Sequence, residues 1–258
     1  MENMTSDKLR VSLLCMVGSR AYNFATPESD CDQRGFGVQT HLFRILGLER
    51  PKDEESSVVD GFLWDVAKFT RMAVKANTNA LDTLFAEDFN VLECDEVGRL
   101  YREYRKKFLS THALYNVLKG YALNELDMAT GRKKPGDMGA KRRTLVEQYG
   151  YCGKNAHHCI RLLAAGCNAF RTGEFKTYWE KDTPDWKNLM SLKLNEMPLA
   201  DFELLHETML KGFEYWSERS VLPKEPDLDL INELLCYVVG KEVVKEFKSL
   251  KLSKGGLL

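Results

Sequence analysis

The sequence predicts an α+β protein, with a small mixed sheet in residues 1–95 and an α-helical domain over 96–258. Three observations predict it. From Val11 to about Glu87 the apolar runs are short and broken by Gly, Asp and Ser. From Glu96 onward apolar residues recur at helical spacing. Between two strand-like runs lies a Gly-Ser turn followed by two carboxylates one residue apart.

The elements follow in chain order. Val11–Val17 (VSLLCMV) has strand length and strand composition, and Phe36-Gly37-Val38 predicts a second strand. Between them stand Gly18-Ser19-Arg20-Ala21-Tyr22-Asn23 and Ser29-Asp30-Cys31-Asp32-Gln33-Arg34-Gly35. In an extended segment, side chains two apart share a face, so Asp30 and Asp32 aim at one point while Cys31 turns toward the core. Paired carboxylates offer the hard oxygen ligands that magnesium prefers. Gly18 lets the backbone approach phosphates closely, and the Ser19 amide and hydroxyl, at a helix start, donate to a β- or γ-phosphate. This combination suits a metal-bound nucleoside triphosphate, the charged substrate of nucleotidyl transfer.

Val58–Phe62 predicts a further strand, and a helix starts at Val66, with Asp65 in capping position. Val97, Leu100, Tyr101, Tyr104 and Phe108 keep helix spacing, as do Leu114, Val117, Leu118, Tyr121, Leu123 and Leu126. Residues 131–143 (GRKKPGDMGAKRR) carry six basic residues against one acid and predict a mobile basic loop, either following a phosphate backbone or simply solvated. Tyr149 and Tyr151 nearby suit base stacking or the core. Lys154, His158 and Arg161, at i, i+4 and i+7, form one polar stripe on a helix. Lys as a point charge and Arg as a forked donor suit a triphosphate. Gly173 terminates that helix. Pro184, Pro198, Pro223 and Pro226 punctuate later helices at Phe202 to Arg219 and Leu228 to Phe247.

The order Gly18-Ser19-Arg20-x-Tyr22, then Ser29-Asp30-x-Asp32-x-Arg34-Gly35, resembles the nucleotidyltransferase signature of the DNA polymerase beta superfamily. More closely it is similar to predicted nucleotidyltransferases associated with RNA repair in bacteria and phages. Asn77-Thr78-x-x-Leu81-Asp82-x-Leu84-Phe85 is similar to that family's Asn-Pro-x-x-Leu-Glu-x-Leu-Phe run, departing at Thr78 and Asp82. Gly150-Tyr151-x-x-Lys154-x-Ala156-x-His158-x-x-Arg161-Leu162-Leu163 matches its helix motif at every named position, and Arg171-Thr172-Gly173-Glu174-Phe175 resembles its Thr-Gly-Glu turn. The likeness covers roughly residues 10–180.

The resemblance implies two magnesium ions, or manganese in their place, held by Asp30, Asp32 and a third carboxylate from a strand beside them. Asp60 is the first candidate and Asp65 the second. It implies that Gly18, Ser19 and Arg20 hold the phosphates, that Lys154, His158 and Arg161 neutralise the triphosphate in a cleft, and that ATP or another NTP is the donor. The implied acceptor is an RNA end, tRNA included, with a protein or small molecule as alternatives. A nucleotide-binding regulator without turnover, or a toxin with the same chemistry, are the other readings.

Composition sets bounds. The net charge of −1 gives no global pull toward nucleic acid, so any such binding must come from local patches. Seven scattered cysteines without a Cys-x-x-Cys pair predict reduced thiols in a cytoplasm. Cys152, His157, His158, Cys159 and Cys167 fit no usual zinc spacing. The opening residues lack signal-peptide regions and no apolar run reaches membrane-spanning length, which predicts a cytoplasmic protein without membrane partners.

Overall fold

A computed structural model describes residues 9–41, 45–46, 55–58, 61–132 and 139–253. The chain divides into two compact units. One comprises Met1–Ala21, Glu28–Phe108 and Pro226–Leu258, the other Tyr22–Pro27 and Leu109–Glu225.

The first unit is built on a five-stranded sheet: β1 (Arg10–Val17), β2 (Asp32–Val38), β3 (Glu55–Val58), β4 (Gly61–Asp65) and β5 (Val91–Cys94), in the order β3-β4-β2-β1-β5. β1 runs antiparallel to β2 and β5, β4 antiparallel to β3, and β2 parallel to β4, so the sheet is mixed as expected. Central β1 is buried from Ser12 through Cys15, which explains why VSLLCMV is continuous rather than alternating. Leu9, Leu14 and Leu63 cluster together. Phe36 stacks on Phe69 at 4.4 Å and meets Tyr101 at 4.9 Å. Phe69 comes from α2 (Val66–Val74) and Tyr101 from α4 (Glu96–Glu103); between these helices lies α3 (Thr78–Leu84), and one-turn α1 is Gly18–Ala21. Asn77 caps α3 by accepting from the Asn79 and Ala80 amides, which puts Thr78 at the first helical position, where proline is otherwise favoured.

The second unit contains α5 (Thr111–Ala129), α6 (Ala140–Tyr149), α7 (Gly153–Thr172), α8 (Pro184–Lys193) and α9 (Leu199–Glu218). Helix α7 is its axis, with α5, α8 and α9 packed on it. At Gly166 an added Cβ would meet Phe213 at 2.4 Å and Leu118 at 3.0 Å, so the glycine permits the close crossing. Gly173 ends the helix in a left-handed cap with φ +73°, as the sequence predicts.

The division expected at 95/96 falls elsewhere. Helix α4 stays with the sheet because Tyr101 is fully buried against Phe36. Helix α10 (Leu228–Ser253) also returns there, burying Ile231, Leu234 and Val238 and bonding buried Glu242 to Arg10 at 2.6 Å. Conversely, Phe24 leaves the sheet unit for the helical one, packing on His157 at 4.7 Å and Trp179 at 5.6 Å. No described helix is long and apolar enough to cross a membrane.

Candidate active site

Val17, at the end of β1, is paired with Asp32 at the start of β2, so the chain between them leaves and returns at one rung of the sheet. Gly18 opens that excursion with φ +72°, a value glycine adopts without the clash a Cβ brings. A Cβ there would lie 2.8 Å from Asp32 Oδ2, so the missing side chain lets the turn sit directly against the carboxylate. Ser19 and Asp32 are half-buried and Asp30 is exposed just before the strand. Cys31 is half-buried rather than core, because regular strand begins only at Asp32.

Arg20 is exposed and donates from Nε to Asp30 O at 3.2 Å and from Nη2 to Ser29 O at 2.9 Å. These bonds tie Arg20 to the loop that carries Asp30. Hard carboxylate oxygens beside a turn with no side chain fit a divalent cation by donor chemistry. Among the described residues no three His, Cys, Asp or Glu side chains cluster as a ligand set.

Asp60 lies outside the described residues. Gly61, which follows it, is registered opposite Gln33, which follows Asp32. Asp65 sits at the other end of β4, opposite Gly37, and its side chain accepts from the Ala67 amide at 2.9 Å as the cap of α2. Five residues of strand separate Gly37 from Asp32, roughly 16 Å at about 3.3 Å each. Asp65→Ala is therefore expected to lower unfolding free energy by about 1 kcal/mol in a denaturant titration, the usual worth of a lost cap.

The expected stripe forms on α7 with graded burial: Lys154 exposed, His158 half-buried and Arg161 buried. The Arg161 guanidinium lies 4.1 Å from the centroid of the Tyr22 ring. Lys193, which sequence spacing does not link to the stripe, belongs to the same electrostatic group; its Nζ donates to Phe24 O at 2.6 Å. Burial and then Lys154 push its pKa down. Burial, then Arg161, His157, Lys154 and Lys193, hold His158 well below the ordinary histidine range, so it is neutral at pH 7. The field that repels its proton attracts an anion.

A model of the RlaP family, described as the RNA repair pathway DNA polymerase beta family, matches residues 1–237. The chain belongs to that family. No curated protein and no solved structure matches it. Membership in the RlaP family points to nucleotidyl transfer, and polymerase beta-like enzymes generally use divalent metals.

Other features of this RlaP-family chain fall into place around the motifs. The basic run is not all loop: Lys141, Arg142 and Arg143 lie in α6, while residues 133–138 are outside the described residues. Tyr151 is fully buried with its hydroxyl donating to Met197 O at 2.8 Å, a core role, whereas Tyr149 remains exposed. His157 Nδ1 donates to Leu189 O at 2.9 Å and Cys159 is buried, so these residues serve packing.

Proposed function

We propose that the chain is a magnesium-dependent nucleotidyltransferase that moves a nucleoside monophosphate from an NTP, such as ATP, to a hydroxyl at an RNA end, including a tRNA end. The observation that carries this reading is the Asp32 carboxylate set against the Gly18 turn at the closing rung of β1 and β2. In the reaction the acceptor hydroxyl gives its proton up to solvent, its oxygen bonds to the α-phosphorus, the bond from that phosphorus to the oxygen bridging to the β-phosphate breaks, and pyrophosphate leaves.

Asp30, Asp32 and Asp60 would hold the metal ions, which supply charge neutralisation on the phosphates and on the attacking oxygen. Gly18 and Ser19 present the turn to the phosphates. Arg20 fixes the Asp30 loop through Ser29 O and Asp30 O. Lys154 and Arg161, with neutral His158 as a hydrogen-bonding partner, bind the charge of the triphosphate. The register of Gly61 opposite Gln33 supports Asp60 over Asp65. Asp60→Asn should lose transfer, while Asp65→Ala should keep it.

The test is transfer from each α-labelled NTP to total RNA and total protein, with magnesium and with EDTA. Label in an RNA band that disappears with EDTA is expected. Label confined to protein removes the RNA acceptor, and absence of any transfer removes the enzyme reading.

A further inference from the structure

The helical unit contains a cavity of about 360 Å³ where α7, α8 and α9 meet the segment that follows Gly173. It lies apart from the stripe residues Lys154, His158 and Arg161, none of which lines it. Trp179 and Trp216 contribute indoles, Arg171 and Lys176 cations, and Asp185 and Asn188 further polar groups. Its volume falls in the range of small-ligand sites, roughly 300–1,000 Å³.

Each indole has a cation on its face. Arg171 lies 5.3 Å from the Trp216 centroid and Lys176 lies 5.3 Å from that of Trp179. Beyond the cavity the alternation continues: Trp216 meets exposed Tyr215 edge-on at 5.1 Å, and Arg219 lies 4.0 Å from the Tyr215 ring. Trp179 is fully buried, and its Nε1–H finds no hydrogen-bond acceptor among the described residues. Buried indole N–H groups ordinarily find one.

Aromatic faces interleaved with cations are what single-stranded nucleic acid uses: bases stack on the rings and the cations follow the phosphates. Two cations against the single carboxylate of Asp185 suit an anionic ligand. Resting on the RNA-acceptor reading above, we propose that this cavity takes one unpaired base of a single-stranded RNA, with Arg171 and Lys176 on the adjoining phosphates. An unpaired base carries ring nitrogens and carbonyls that accept from an N–H. A paired base is already stacked within its duplex.

The experiment is fluorescence anisotropy of an end-labelled single-stranded RNA of eight nucleotides and of the matching duplex, in EDTA and without NTP. Trp216→Ala should raise Kd for the single strand about 10-fold. Arg171→Gln with Lys176→Gln should lower the slope of log K against log salt by about 1.4, near 0.7 per charge, and circular dichroism should confirm that both chains are folded. Equal binding of duplex and single strand, or unchanged affinity and salt slope in both variants, overturns the proposal. Run in EDTA and without NTP, the anisotropy measurement reads binding apart from transfer. Pocket-dependent binding without any transfer would therefore sink the transferase reading alone, and transfer to RNA with unchanged affinity in the pocket variants would sink the pocket alone.

Discussion

A chain carrying Asp30→Ala and Asp32→Ala together is expected to lose label transfer by at least about 10³-fold while melting no lower than the wild type. The size follows from several kcal/mol of metal-based charge stabilisation, with each 1.36 kcal/mol worth about tenfold in rate. The retained stability follows from position: Asp30 is exposed and Asp32 only half-buried. Removing two neighbouring like charges relieves repulsion, and active sites commonly trade stability for function. Gly18→Ala probes the same place without touching a carboxylate. A left-handed alanine costs about 1–2 kcal/mol. Its Cβ, 2.8 Å from Asp32 Oδ2, also forces the carboxylate to shift, and a displacement near 1 Å costs on the order of 10²-fold in rate. Full transfer in either variant would show that this rung is not where the chemistry happens.

Acid is expected to destabilise the helical unit well before its carboxylates titrate. Burial pushes the His157 pKa down to about 3, and its Nδ1–H is committed to Leu189 O. The unfolded chain takes up a proton near pH 6.5, which the folded chain refuses until about pH 3. Above pH 6.5 the group is neutral in both states and contributes no pH dependence. Between the two values stability falls as pH falls, by about 1.4 kcal/mol per pH unit. From pH 7 to pH 5 His157 alone accounts for roughly 2 kcal/mol. His158 and His206 are shifted in the same direction, so they steepen the loss. Denaturant titrations at the two pH values should show it, and His157→Asn, which keeps a donor for Leu189 O, should reduce the difference by about 2 kcal/mol. An unchanged difference would mean that the imidazole is not the group responsible.

Local patterns were legible where one segment decides its own structure. The strand at Val11–Val17, the capping position of Asp65, the stripe on α7 and the stop at Gly173 all appear as the sequence implies. What sequence left hidden are partners distant in the chain. Spacing identifies Arg161 as polar and on one face with Lys154, but not that Tyr22, far upstream, covers it. Lys193 lies at the end of the next helix, α8, and carries no spacing signal of its own, yet its charge acts on His158. The exchange of segments between units is equally silent. Phe24 and Ile231 are apolar residues that burial suits, but nothing in the sequence says in which core.

That exchange sets an order of events during synthesis. Apart from six residues already made, the helical unit is continuous in the chain and complete once Glu225 emerges. The sheet unit must wait for α10, whose Ile231, Leu234 and Val238 close its core and whose Glu242 receives Arg10. Because domains fold as units, the sheet that carries Asp32 stays without its closing helix until α10 is made, after the helical unit is already complete.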